Sequence, residues 1–109
     1  MFYIIMELFK KTVKDGNHLV YFGANWCSSC RSVKKAVAVL TYKNTHVFDI
    51  EEDEEVTALC VVIKLPTIQI WKNGKEVEKY EGERDCNIAI IIARHFTECT
   101  EDIVEEAFF

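Results

Sequence analysis

Apolar positions recur every three or four residues at the start of the chain and predict a helix there. The stripe consists of Phe2, Ile5, Met6, Phe9 and Val13. This spacing matches the 3.6 residues of a helical turn, so the side chains share one face. The run Asp15-Gly16-Asn17 follows the last of them. Because glycine is typical just beyond a helix, we expect the helix to begin near Phe2 and to end before this run.

A strand and a second helix are predicted next. Leu19 to Phe22 is a continuous apolar run of strand length, which favours a strand buried on both faces. Gly23-Ala24-Asn25 interrupts it. The following helical stripe consists of Val33, Val37 and Leu40. We expect this helix to begin at Arg31 and to end at Tyr42-Lys43-Asn44.

The middle of the chain predicts another strand and a helix with an acidic start. Thr45 to Ile50 has a strand-like pattern, and Glu51 to Glu55 is an acidic run. The helix that this run opens carries Val56, Leu59 and Cys60. The helix dipole favours acidic residues in a first turn, so the run is explained without a ligand, and an acidic docking patch is the alternative.

A hairpin and a last helix complete the pattern. Thr67 to Trp71 alternates as a strand does, Asn73-Gly74 is a hairpin signal, and Glu76 to Tyr80 forms the return strand. Gly82 ends that strand, and we expect Asp85 to cap the last helix. The predicted core face of this helix comprises Ile88, Ile91, Ile92 and Phe96.

The order of elements defines the fold class. Helix, strand, helix, strand, helix, hairpin and helix predict an α/β fold, with a central mixed four-stranded sheet flanked by helices. The chain of 109 residues fits one domain spanning 1–109. Residues 97–109 are an acidic extension, which either continues the last helix or forms a tail.

Charge and hydropathy exclude several classes of partner. The net charge is −5 and no strongly basic cluster is present, so we expect no nucleic acid. The longest aliphatic run, Ile88 to Ala93, is far shorter than the roughly 20 residues that cross a membrane. The start lacks the basic leader of a secretory signal. These features predict no membrane partner and a cytoplasmic location, with a nuclear one as the alternative.

The cysteines supply the candidate chemistry. There are five, and Cys27 and Cys30 are separated by two residues at the predicted junction of strand and helix. Such a pair can close and reopen a small disulfide ring. The N–H groups at the start of the helix favour the thiolate of the first cysteine, and thiolate is the reactive form. One close pair with scattered single cysteines suits a reducing compartment and a redox or metal-binding pair.

Three landmarks together resemble the thioredoxin family. Phe22 to Cys30, which contains Trp26-Cys27-Ser28-Ser29-Cys30, resembles its redox turn. Leu65-Pro66-Thr67 is similar to its cis-proline segment, and Asn73-Gly74 and Gly82 fall at the spacing of its hairpin glycines. The similarity covers roughly residues 9–96. It implies a thioredoxin-like fold in which the family's first strand is shortened or absent, because the first helix begins so early.

The resemblance also implies an activity and roles for residues. The protein is expected to be a thiol–disulfide oxidoreductase that reduces or exchanges disulfides in protein substrates. Thioredoxin reductase or glutathione would recharge it, and no bound cofactor is required because the two sulfurs carry the electrons. Cys27 is the expected nucleophile and Cys30 the resolving cysteine. Pro66 is implied to be cis, with the backbone of Leu65 holding an extended substrate. The expected platform around Cys27 consists of Trp26, Leu65, Pro66 and Gly82.

Several residues depart from the family pattern. Ser28 and Ser29 stand where thioredoxins usually carry Gly-Pro, and their hydroxyls can bond to the Cys27 thiolate. Tyr21 replaces an aspartate that the family often buries, and Val47 replaces its lysine partner. Tyrosine, with a pKa near 10, is a poor base at neutral pH. We therefore expect slow resolution and long-lived mixed disulfides, with Asp49 as a candidate substitute base.

Other functions remain open at this level. The chain could be a thioredoxin-fold binding module with weak or no turnover, as the missing aspartate and short start suggest. The cysteine pair could be inert, or it could bind zinc, or a metal or iron–sulfur cluster across a dimer. The remaining candidate zinc ligands are Cys60, Cys86, Cys99, His18, His46 and His95. They lack the spacing of a second ligand pair, so we expect no metal, and we expect these cysteines and Trp71 to be structural.

Overall fold

A computed structural model describes residues 2–40 and 44–96, with only the backbone of Phe2. The helices are α1 (Phe2–Thr12), α2 (Arg31–Ala38), α3 (Glu54–Leu59) and α4 (Ile88–His95). The strands are β1 (Asn17–Gly23), β2 (Thr45–Asp49), β3 (Thr67–Lys72) and β4 (Lys75–Glu81). A short 3-10 turn, Ser28–Cys30, leads directly into α2.

The strands form one mixed sheet in the order β2-β1-β3-β4. β1 runs parallel to β2 and antiparallel to β3, and β4 is antiparallel to β3. The described residues contain no strand before α1, so β2 is an edge strand. The predicted four-stranded mixed sheet without the family's first strand is therefore confirmed.

β1 lies at the centre of two cores because successive side chains of a strand point to opposite faces. Leu19 and Tyr21 pack with side chains from α2 and α4. Val20 and Phe22 pack on the other face with side chains from α1 and α3. Every residue of β1 after Asn17 is buried, as the continuous apolar run predicts.

The end of α2 differs from the prediction. The helix stops at Ala38, so the predicted stop at Tyr42-Lys43-Asn44 is wrong. Leu40 is nevertheless buried in the core, and its N–H donates to the carbonyl of Val37 (3.0 Å) in a turn. Thus a turn continues the buried stripe that we interpreted as helix. Residues 41–43 and the extension 97–109 lie outside the described residues.

The cap of α4 is also different. The side chain of Asn87 accepts a hydrogen bond from the N–H of Ile90 (3.2 Å), so Asn87 is the cap and the prediction of Asp85 is wrong. The helix begins only at Ile88, which leaves Asp85 too far from its first turn. The predicted core face is confirmed. Its members are buried or packed against the core: Ile88, Ile91, Ile92 and Phe96.

The hairpin turn has the backbone that its sequence predicts. Asn73 and Gly74 have φ angles of 51° and 84°. Two consecutive positive φ angles are typical of a type I′ turn, which Asn-Gly favours. β3 and β4 pair beyond this turn with one register shift between Ile70 and Trp71, and Gly82 lies beside Pro66, whose carbonyl accepts the Gly82 N–H (2.8 Å). No described helix has the length and apolarity needed to span a membrane.

Candidate active site

Cys27 and Cys30 are joined by a disulfide at the carboxyl end of β1. Their Cα atoms are 5.3 Å apart, within the range that a disulfide allows. The Cys27 N–H donates to the carbonyl of Ala24 (3.1 Å), and the Cys30 N–H donates to the carbonyl of Cys27 (3.2 Å). Cys27 is 8% exposed and Cys30 is 2% exposed. The first sulfur is therefore at the surface of the core and the second lies within it.

The start of a helical segment and a serine hydroxyl lie beside Cys27. Cys27 occupies the cap position of the 3-10 turn that leads into α2. Free N–H groups at such a start attract negative charge. The hydroxyl of Ser29 lies 3.3 Å from the Cys27 sulfur, whereas Ser28 makes no side-chain hydrogen bond among the described residues. Of the two serines, only Ser29 has the predicted contact with the sulfur.

The Leu65–Pro66 peptide bond is cis, as the resemblance implies. The carbonyl of Pro66 accepts a hydrogen bond from the N–H of Gly82 (2.8 Å), and the thiol of Cys86 lies within reach of the carbonyls of Pro66 (3.6 Å) and Tyr80 (3.4 Å). Gly82 has a φ angle of 90°, which favours glycine. The cis-proline segment and the end of β4 are thus connected directly.

An apolar groove lies beside Cys27. Its volume is about 490 Å³, and it is lined by Trp26, Cys27, Ile50, Thr57, Val62, Ile63, Lys64 and Leu65. Trp26 and Ile63 form its exposed rim, at 65% and 84% exposure. The indole N–H of Trp26 donates to Glu51, which holds the ring at the rim. The structure thus brings Trp26 and Leu65 together with Cys27, while Pro66 and Gly82 lie outside the lining of the groove.

One wall of this groove depends on how α3 ends. The N–H groups of Val61 and Val62 donate to the carbonyls of Ala58 (3.2 Å) and Thr57 (3.3 Å). This pair of bonds is a Schellman motif, whose key residue is usually glycine. Here that residue is Val61, at a φ angle of 52°, which a β-branched side chain rarely adopts. Backbone strain of this kind is concentrated at functional sites.

Sequence reasoning missed most of the groove. Ile50, Thr57, Val62, Ile63 and Lys64 come from the end of β2, from α3 and from the following loop. A signal was present in the apolar run Val61-Val62-Ile63, which fits neither a helix stripe nor a strand alternation.

Tyr21 lies directly behind Cys30. Its side chain is buried, and its hydroxyl donates to the carbonyl of Cys30 (3.4 Å). Burial, together with the nearby Cys86 and Asp49, raises the pKa of Tyr21 to about 12. The β1–β2 register pairs it with Val47. A Cβ atom at Gly23 would lie 2.1 Å from the Tyr21 hydroxyl, so the bulky ring requires glycine two residues later.

The side chain of Asp49 forms hydrogen bonds with the loop that carries the cysteines. Its carboxylate accepts the N–H groups of Asn25 (3.2 Å), Glu51 (2.8 Å) and Glu52 (3.4 Å). A cavity of about 30 Å³ lies between Tyr21, Asp49 and other side chains. The three bonds give Asp49 a structural task, and its role as a substitute base stays a hypothesis.

The other predicted structural residues behave as a core requires. Cys60 and Cys86 are free and buried, and burial raises the pKa of each thiol to about 12. A thiol with so high a pKa is unreactive near neutral pH. Trp71 packs edge-on against Phe9, with ring centroids 5.2 Å apart. Cys99 is outside the described residues, and among those described no three His, Cys, Asp or Glu side chains are placed to hold a metal ion.

Comparison with known proteins identifies the class. The family model of Thioredoxin matches residues 2–94, so this chain belongs to the thioredoxin family. The family and the close cysteine pair define it broadly as a thiol–disulfide oxidoreductase.

Individual relatives agree with this assignment. Thioredoxin H-type 1 of Nicotiana tabacum is 32% identical over 99 residues, covering 86% of this chain and 79% of the relative. The thioredoxin of Chlamydia trachomatis is 29% identical over 97 residues, covering 84% and 95%. The X-ray structure of Fasciola hepatica thioredoxin superposes with a TM-score of 0.70 at 29% identity, covering 83% of this chain and 90% of that one.

Proposed function

We propose that this protein reduces or exchanges disulfides in protein substrates by cycling Cys27 and Cys30 between dithiol and disulfide. The observation that carries the proposal is the Cys27–Cys30 disulfide at the head of α2, on the wall of an apolar groove. Burial of Cys30 behind the more accessible Cys27 supports the order of the two roles.

Two exchanges account for the reaction. The Cys27 thiolate attacks one sulfur of the substrate disulfide, forms a mixed disulfide and expels the other sulfur as a thiolate, which takes up a proton. Cys30 then loses its proton and attacks the sulfur of Cys27. The Cys27–Cys30 disulfide forms, and the second substrate sulfur leaves and is protonated. Two electrons pass to the substrate, and thioredoxin reductase or glutathione returns two electrons to the pair.

The groove is the proposed place of the substrate chain. Its apolar lining suits an apolar side chain next to the substrate cysteine. Leu65, at the cis bond, presents its backbone to an extended segment, and Trp26 covers one side. Pro66 and Gly82 do not line the groove, and their proposed role is to hold the Leu65 backbone in place. The Gly82 N–H does so by donating to the carbonyl of Pro66. The proposed location is the cytoplasm, where buried Cys60 and Cys86 stay reduced.

An insulin-reduction assay with dithiothreitol tests the proposal. The wild-type protein is expected to accelerate precipitation of the insulin B chain, and Cys27→Ser to remove the acceleration. Cys30→Ser is expected to accumulate a mixed disulfide that mass spectrometry detects. Cys60→Ala is the matched control, because this buried thiol lies outside the groove lining.

The second candidate is a thioredoxin-fold binding module without efficient turnover. The buried Tyr21, with its raised pKa, and the exposed rim residue Ile63 favour it. In that case the wild-type protein would reduce insulin no faster than dithiothreitol alone. The oxidoreductase proposal would then be wrong.

A further inference from the structure

Helix α1 is apolar on its outer side as well as its inner side. Phe9 and Val13 are buried against the sheet. Tyr3, Ile4 and Leu8 are 69%, 58% and 55% exposed. Their spacing places the three on the outer side of the helix, away from Phe9, and the exposed Glu7 lies among them. A surface helix normally has a single apolar stripe, so a second one marks a docking surface.

The same helix ends in positive charge. Lys10, Lys11 and Lys14 are exposed, and none of them forms an ion pair within residues 2–40 and 44–96. Lys11 follows Ile4 by seven positions and Leu8 by three, so it shares their face. Apart from Glu7, the outer face of α1 is therefore apolar toward its start and basic toward its end.

Residues 97–109 have the complementary composition. Their apolar residues are Ile103, Val104, Ala107, Phe108 and Phe109. Their acidic residues are Glu98, Glu101, Asp102, Glu105 and Glu106, and the segment contains no lysine or arginine. The composition alone thus offers apolar groups for the first half of the α1 face and carboxylates for the second.

The segment begins near the basic end of α1. The carbonyl of His95 accepts a hydrogen bond from the side chain of Asn17 (2.8 Å), so the chain leaves α4 beside the residues that follow Lys14. An extended chain spans about 3.4 Å per residue, which gives thirteen residues a reach of roughly 40 Å. The eleven residues of α1 extend only about 16 Å. The reach exceeds the length of α1, and the difference is available for the passage from the α4 face of the sheet to the α1 face.

We propose that residues 97–109 cover the outer face of α1 in the same molecule. The apolar side chains of the segment pack on Tyr3, Ile4 and Leu8, and its carboxylates pair with the lysines at the end of the helix.

Hydrogen-exchange mass spectrometry of the full chain at low salt tests the proposal from both sides. Phe108→Asp is expected to speed amide exchange in α1, and Leu8→Asp to speed exchange in residues 97–109, each on the order of fivefold. Raising the salt concentration is expected to speed exchange in both segments, because the proposed ion pairs are screened. Insulin reduction is measured in parallel and is expected to stay unchanged, since Leu8 and Phe108 lie outside the groove lining.

Ile90→Asp is the matched control. Ile90 is an apolar residue on the outer side of α4, 53% exposed against 55% for Leu8. If Ile90→Asp rather than Leu8→Asp sped exchange in residues 97–109, the segment would pack on α4 instead of α1. The proposal would then be overturned. Exchange that is the same in all variants would also overturn it. Protection that rises with protein concentration would assign the α1 face to a second copy of the chain instead.

Discussion

Tyr21 is the residue that most distinguishes this active site from the family pattern. Its hydroxyl is a donor to the carbonyl of Cys30, and its pKa is raised to about 12 by burial and by the neighbouring Cys86 and Asp49. A group with that pKa cannot accept a proton near neutral pH. Cys30 therefore lacks a base at the position where the family often buries a carboxylate, and the mixed disulfide on Cys27 is expected to be long-lived.

Tyr21→Asp is expected to speed resolution of the mixed disulfide about tenfold or more, because a positioned general base contributes at least that much. The measurement starts from a Cys27 mixed disulfide with thionitrobenzoate and follows release of the coloured thiol after mixing. Tyr21→Phe is the control, since it removes the hydroxyl and keeps the ring that Gly23 accommodates. A rate that stays flat or falls in folded Tyr21→Asp, or a large drop in Tyr21→Phe, would show that Tyr21 does not limit resolution.

At the scale of elements, the cap of α4 separates two residues that look alike in the sequence. Asn87 holds the Ile90 N–H, whereas Asp85 lies outside the first turn. Asn87→Ala is expected to lower the free energy of unfolding by about 1 kcal/mol, the usual cost of a lost cap. Asp85→Ala is expected to change it by less than about 0.5 kcal/mol. Urea unfolding of both variants provides the comparison, and equal losses would contradict the assignment.

The elements also show what could be predicted. Long patterns with a clear period, such as the stripe of α1 and the buried run of β1, predicted the right type of element. The ends of α2 and α4 were predicted wrongly, because a turn can continue a buried stripe and a cap depends on where the first helical turn begins. Val61 could not be anticipated, since valine is a poor choice for a left-handed backbone.

Some residues of the candidate site could be predicted from the sequence and others could not. Cys27 and Cys30 belong to one short motif and Pro66 to another, Leu65-Pro66-Thr67, so each could be selected from the sequence and its resemblance to the family. The groove brings Ile50, from beyond β2, together with Ile63, from beyond α3. Such contacts arise only when the sheet is assembled, and no short-range pattern carries them.

At the scale of the whole molecule, the stability of the folded state depends on the protonation of two histidines, one on each face of the sheet. His46 lies against His18, with ring nitrogens 3.0 Å apart. Burial and, to a lesser extent, His18 lower the pKa of His46. On the other face, burial lowers the pKa of His95, although Glu78, 2.7 Å away, acts in the opposite direction. In both cases the folded protein binds a proton less readily than the unfolded chain does.

Stability is therefore expected to fall on acidification. A histidine in the unfolded chain takes up a proton as the pH drops through about 6.5, while His46 and His95 in the folded state resist it. The free energy of unfolding is thus flat above that pH and declines below it, with a slope of at most about 1.4 kcal/mol per pH unit for each histidine. Urea unfolding at a series of pH values measures this slope, and His46→Gln is expected to reduce it.

Glu78 does not produce the same effect, because its lowered pKa places its titration in a more acidic range. A stability that stays constant on acidification through this window, or a slope that His46→Gln leaves intact, would contradict the neutral state of these two imidazoles.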